Sequence, residues 1–224
     1  MASTFQRMVD YFGAAPTGSA LNLVSSGDGA VRTMAEASMT GPHAAYQRGP
    51  IMKNPVCRYS LVADATLSFT LGKAWPATFS NGAMTASGWT LVRIDVETRL
   101  GAFPEVVLTG VASEGVDAIN KWTVSIPLVA RARAQNLMGS AASIAGSLLS
   151  CSLAAGAEPV VLTEGLVPCA SDVVHGAIDV TGVMLTPDGE ASPLAASGWI
   201  GVGTPDARGA GQYRTYSYRM RKEL

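Results

Sequence analysis

Charge is scarce in this chain. Only 15% of its 224 residues are charged, against about a quarter in an average soluble domain. The net charge is −1, so no global field draws it to nucleic acid or to an anionic membrane. Histidine is nearly absent, with only His43 and His175. The three cysteines, Cys57, Cys151 and Cys169, are odd in number and far apart. That argues against a disulfide framework and for a reducing compartment of synthesis. The same few residues supply no paired-ligand zinc site, and no metal or cofactor is expected. Neither a G-x-x-x-x-G-K-[ST] loop nor a strand-linked G-x-G-x-x-G is present, so no phosphate cradle is expected. No apolar run approaches the ~20 residues of a membrane span. Met1 to Gly13 has no continuous apolar stretch, so a secretory signal is not expected.

Apolar residues make up 48% of the chain, enough for a core without a covalent staple. A surface so poor in charge suits a subunit covered by copies of itself, or a compact globule coated with Ser and Thr. The few charges are unevenly spread. From Ala207 onward Arg208, Arg214, Arg219, Arg221 and Lys222 face one acid, Glu223, for a sum of +4, while the rest of the chain carries −5. An acidic body with a basic end is complementary to itself.

Phe5, Met8, Val9 and Phe12 recur at helical spacing over Thr4 to Phe12. They predict a short amphipathic helix, with Ser3 or Thr4 as cap and Gly13 as stop. So short a helix must dock on something to persist. Gly13 to Pro55 holds six glycines, four prolines and one aromatic, Tyr46. It reads as an extended, loop-rich arm, with a hairpin turning at Ser26-Gly27-Asp28-Gly29. Residues 57 to 71, CRYSLVADATLSFTL, then alternate apolar and polar over fifteen positions, which predicts one very long two-faced strand. Thr90 to Leu100 alternates again, with Arg93, Asp95, Glu97 and Arg99 on one face. A partner strand follows the turn Gly101-Ala102. Pro127 places the next strand, from Trp122, at an edge or bulge. Leu137, Ala141, Ile144, Ala145 and Leu148 then predict an α-helix near 136–149. Shorter strands complete the chain. The expected fold is mostly β: an antiparallel β-sandwich or barrel with one flanking α-helix, preceded by the short N-terminal helix and the arm. Residues 1–55 form the arm and 56–224 the β domain.

Catalytic chemistry has few candidates. Cys169, Asp172 and His175 cluster in PCASDVVHG, yet catalytic partners normally meet from separate segments. A strand-entry loop with a half-buried thiol is the plainer reading. Asp95 and Glu97 resemble an acid–base pair but sit between Arg93 and Arg99, which neutralise them. Trp75 and Trp89 are candidate glycan-stacking residues. The C-terminal QYRTYSYRMRK interleaves Tyr213, Tyr216 and Tyr218 with Arg214, Arg219 and Arg221. That pattern can stack bases, or pair with acids on another subunit, which the acidic body favours. No enzymatic activity is expected.

Long two-faced strands, a flanking helix and an extended arm, carried by CRYSLVADATLSFTLG, GAFPEVVLTGVASEGVDAINKW and VARARAQNLMGS, together resemble a bacteriophage tail tube protein or a related virion structural subunit. The resemblance implies a ring-forming homo-oligomer, usually six-fold, stacking into a tube that conducts DNA without binding it. It implies other virion proteins as partners, a place in the virion tail, and assembly in the host cytoplasm. On that view Phe5, Met8, Val9, Phe12, Tyr46, Arg214, Tyr216, Tyr218, Arg219 and Arg221 would meet neighbouring subunits. Ser60, Asp64, Thr66, Ser68, Arg93, Asp95, Glu97 and Arg99 would face the bore. A capsid decoration protein and a carbohydrate- or surface-binding β-sandwich module are the alternatives, and a small hydrolase built on Cys169 and His175 is the remaining one.

Overall fold

A computed structural model describes residues 21–28, 32–33, 51–52, 55–61, 64–73, 78–80, 85–87, 90–111, 118–131, 133–164, 167–187, 194–207 and 213–224. Strands are numbered in chain order. Eight of them, β1 (Leu21–Asp28), β4 (Pro55–Leu61), β8 (Thr90–Arg99), β9 (Glu105–Val111), β12 (Ser147–Glu164), β13 (Val167–Pro187), β15 (Ile200–Ala207) and β16 (Tyr213–Glu223), build one sheet. Its spatial order is β1-β4-β9-β8-β12-β13-β16-β15. The other strands form two-stranded ribbons. These join β2 (Arg32–Thr33) to β3 (Ile51–Met52), β5 (Ala65–Leu71) to β10 (Trp122–Leu128), β6 (Thr78–Ser80) to β7 (Thr85–Ser87), and β11 (Ala142–Ile144) to β14 (Leu194–Ala196). Every pairing is antiparallel.

Alternation decides which side of each strand is buried. Ile94, Val96, Val106, Leu108 and Leu153 point from the large sheet into a core shared with Phe69, Leu71, Val124, Ile126 and Leu128 of the β5–β10 ribbon. Ile144 and Leu194 of the β11–β14 ribbon pack against the same core. Two layers on one core are consistent with a β-sandwich. Among the described residues, side chains on the sheet's opposite face, such as Arg93, Arg99 and Arg219, are exposed. Thr98 is a buried polar side chain on the core side. Its hydroxyl accepts the Gln135 N–H at 3.1 Å and donates to the Cys151 carbonyl at 3.2 Å, which satisfies it.

Several sequence expectations need correction. The fifteen-residue strand is two strands in two layers: β4 ends at Leu61 in the large sheet, and β5 begins at Ala65 in the ribbon. Between them the Asp64 carboxylate accepts the Ala130 N–H at 2.7 Å, tying the crossing to the end of β10. The flanking α-helix is not formed. Residues 139–141 make one 3-10 turn, followed by β11 and β12. Gly139 has φ +62°, and the Asn136 side chain bonds the Gly139 carbonyl and the Met138 N–H. Side-chain capture of the backbone competes with helix there. The hairpin around 26–29 gives way to β1 pairing with β4, so the boundary at residue 55 falls inside the sheet. The described strands do not close into a barrel. Of the shorter strands expected after 150, those up to Pro187 are one long hairpin, β12–β13, bent by register shifts near Leu148, Gly156 and Leu162, while the C-terminal one forms as β16. Pro127 lies in a two-stranded ribbon, where both strands are edges. The N-terminal helix and Tyr46 lie outside the described residues.

Candidate functional site

The open face of the large sheet carries charged side chains from Arg93 on β8 to Glu223 on β16. Strand registers align them in rows. One row runs Val107, Asp95, Ala154, Asp179, Arg221, Ile200. The next runs Glu105, Glu97, Ser152, Thr181, Arg219, Val202. A third joins Thr109, Arg93, Gly156, Ala177 and Glu223. Apart from Asp179, small residues of β12 and β13 thus separate two charged strands, β8 and β16.

Within each charged strand, residues two apart pair. Arg93 donates to both Asp95 oxygens, at 2.7 and 2.8 Å, and these bonds raise its pKa. Arg99 reaches Glu97 at 2.6 Å. Arg221 donates to Glu223 at 2.7 Å and lies 3.4 Å from Asp179 Oδ2. Asp179 Oδ1 meets the Arg219 guanidinium at 3.6 Å, beyond hydrogen-bond range. Two open depressions cross this face. One, of about 650 Å³, is bordered by Arg93, Glu158, His175, Asp179 and Arg221. The other, of about 370 Å³, is bordered by Glu97, Glu105, Ser152 and Thr181. Exposed ion pairs of this kind contribute little stability; their consequence is a patterned, nearly neutral surface.

The residues expected to face a bore are divided by the core. Ser60, Arg93, Asp95, Glu97 and Arg99 lie on the open face of the sheet. Thr66 and Ser68 lie on the outer side of the β5–β10 ribbon, with Asp64 beside them at its end. There the Ser68 and Ser125 hydroxyls, and those of Thr70 and Thr123, stand 3.4 Å apart. The two groups look in opposite directions, so one copy cannot present both to one channel.

The C-terminal strand divides by parity. Arg219 and Arg221 reach the open face. Tyr218, expected at a subunit contact, is a core residue, 3% exposed. Tyr216 is half-buried against the same core, and Arg214 is half-buried as well. Even positions 216, 218 and 220 point in, and odd positions 219, 221 and 223 point out, a signal already present in YSYRMRKE. Asp179 and Thr181 were missed; their alternation is legible, but their neighbours are not.

The Cys169, Asp172 and His175 cluster does not assemble. All three lie along β13, where extended backbone spaces Cys169 and His175 by roughly 20 Å. The Asp172 carboxylate is occupied by the N–H groups of Asn120 at 2.7 Å, Val173 at 2.8 Å and Ile119 at 3.0 Å. These bonds, Asn120 foremost, lower its pKa. His175 sits at a bulge with φ +54°. Trp75 and Trp89 fall outside the described residues. Among the described residues no group of His, Cys, Asp and Glu is placed to hold a metal ion. No helix there is long and apolar enough to cross a membrane.

Among the described residues, Tyr218 and Cys151 form a buried titratable pair, the tyrosine hydroxyl donating to the thiol at 3.3 Å. Burial first, then Cys151, pushes the Tyr218 pKa far above its usual value, and burial raises Cys151 as well. A folded pKa above the unfolded one means stability is complete below the unfolded value, about 10 for tyrosine. It is lost as pH climbs beyond that. Urea midpoints should therefore hold to about pH 8, begin to fall near the unfolded thiol value of about 8.5, and fall more steeply above about pH 10. Tyr218→Phe should show a shallower alkaline fall. Parallel falls in both proteins would assign the transition to other groups. No protein-family model matches the chain, and no curated protein matches it.

Proposed function

We propose that this chain is a structural subunit that assembles with copies of itself into a tube, as in a phage tail. The observation that carries the reading is an open antiparallel sheet with two outer strands, β1 and β15, each eight residues long. Among the described residues neither has a partner on its outer side. Eight alternating strands leave β1 and β15 running in opposite directions. The β15 edge of one copy can therefore continue the antiparallel order against β1 of the next. On β15, Ile200 and Val202 are 80% and 71% exposed, which is unusual for a free edge that natural proteins normally protect. A contact between two different edges propagates rather than ending at a dimer.

In such a ring the hydroxyl side of the β5–β10 ribbon suits the bore. Thr66, Ser68, Thr70, Thr123 and Ser125 are uncharged, and each added phosphate contact would slow a passing DNA. The charged open face then lies outside. Ring symmetry, other virion proteins as partners, and assembly in the host cytoplasm belong to the same proposal.

Negative-stain microscopy of the purified chain across a salt series tests it. Rings or tubes are the expected result. A strictly single-chain protein at every concentration, or turnover of a small molecule, overturns it. Binding to preformed capsids without polymerisation would indicate a decoration protein instead. A stable monomer that binds glycans would indicate a surface-binding module.

A further inference from the structure

We infer that the open face of the large sheet is a contact surface for a second copy of this chain. The two copies meet face to face about a two-fold axis that runs parallel to the strands, between β12 and β13. The contact uses the face and not the edges, so it goes beyond the tube reading and stands without it.

Strands β8 and β16 are three strand spacings apart, about 14 Å, too far for their side chains to pair within one copy. Yet they are complementary row by row. Arg93 shares a row with Glu223, Asp95 with Arg221, and Glu97 with Arg219. A two-fold axis parallel to the strands carries β8 of one copy over β16 of the other at the same height. Each of the three rows then brings opposite charges together, and symmetry repeats all three. Between them Gly156 lies over Ala177 and Ser152 over Thr181, while Ala154 lies over Asp179, whose carboxylate stays with Arg219 and Arg221 of its own copy. The same operation sets Val107 over Ile200, which is 80% exposed. Glu105 over Val202 and Asp179 over Ala154 are the positions that gain nothing.

An in-plane axis perpendicular to the strands, which lays β8 on β8 with its order reversed, does less well. Passing at Ile94, it sets Arg93 on Asp95 and Arg221 on Glu223 but gives Glu97 and Arg219 no opposite charge; passing at Val96, it places Asp95 on Glu97 and Arg93 on Arg99. Directly opposed like charges are destabilising. Twist makes aligned sheets cross at about 30°, so the rows of Asp95 and Glu97, nearest the centre, meet best. Six strands and three rows give a footprint on the order of 500 Å² per copy, at the low end of specific interfaces. The dimer is therefore weak, and exposed charges make it sensitive to salt.

Sedimentation velocity of the full chain is the test. A concentration-dependent dimer is expected in about 20 mM salt, with at least about tenfold weaker association in about 500 mM. The variants Asp95→Lys/Glu97→Lys and Arg219→Glu/Arg221→Glu should each be monomeric alone, because each opposes like charges. Mixed in equal amounts they should form a heterodimer, since the β8 of each then faces an opposite β16. Thr181→Arg, which leaves every ion pair in place, should also abolish the wild-type dimer by placing two bulky cations beside the axis. A wild-type monomer in low salt overturns the contact. So does a dimer that survives either reversal, or a mixture of folded variants that stays monomeric. Tubes without a low-salt dimer sink this contact alone; a dimer without tubes sinks the tube alone.

Discussion

Gly182→Val should cost about 2–3 kcal/mol of folding stability, in the range of overpacked cores. Across the core side of the sheet, Thr98, Cys151, Gly182 and Tyr218 stand in one row. The Tyr218 ring lies over Gly182 to bring its hydroxyl within 3.3 Å of the Cys151 sulfur. A Cβ at 182 would overlap that hydroxyl and the ring carbons beside it. Glycine within a strand normally weakens it by about 0.5–1 kcal/mol relative to alanine. Here the missing side chain is the space the tyrosine occupies, as in other glycine–aromatic pairs of sheets. Chemical denaturation followed by near-ultraviolet circular dichroism reads both the stability and the tyrosine packing. Gly182→Val combined with Tyr218→Leu should recover part of the loss, since the two positions share one volume. A Gly182→Val protein as stable as the parent, with an unchanged tyrosine signal, would rule out this packing.

Gly72→Ala should be at least as damaging, about 3 kcal/mol, for two separable reasons. Gly72 has φ +82°, a left-handed conformation that costs an L-residue about 1–2 kcal/mol. A Cβ there would also strike the Asn120 carbonyl and the Val173 side chain. Neither can yield easily. Asn120 is held by the Asp172 carboxylate through its N–H at 2.7 Å and its side-chain amide at 2.8 Å. Val173 is 1% exposed. The Gly72 N–H itself donates to the Leu91 carbonyl at 2.8 Å, so β5, β8 and β13 converge at this point. Gly101→Ala is the control. Gly101 has φ +83° but nothing within 4 Å of an added Cβ, so it should lose only the conformational part. Urea midpoints of the two variants isolate the collision. Equal losses would show that the neighbours of Gly72 move aside at no cost.

Asp172 illustrates how a local motif can mislead. Its place between Cys169 and His175 suggests catalysis, whereas its oxygens are used to hold the 119–120 turn against β13. The feature that reveals this lies some fifty residues earlier in the chain and has no signature of its own. The predicted helix near 136–149 fails for a related reason. A stripe of Leu, Ala and Ile at helical spacing also fits short strands, and Gly139 with the Asn136 side chain decides in favour of a turn.

Local chemistry alone determined that this is a β protein, that β8 and β9 form a hairpin about Gly101-Ala102, and that Arg93, Asp95, Glu97 and Arg99 share one face. Those properties follow from alternation along a single strand, which each residue and its second neighbour suffice to express. The tertiary structure decided that 57–71 divides between two layers, that Tyr218 turns inward, and that the charges of β8 are mirrored on β16. These depend on which strands become neighbours and in what register. Strand pairing is made by backbone hydrogen bonds that are chemically alike at every residue, so the choice among partners is settled only when the whole core closes.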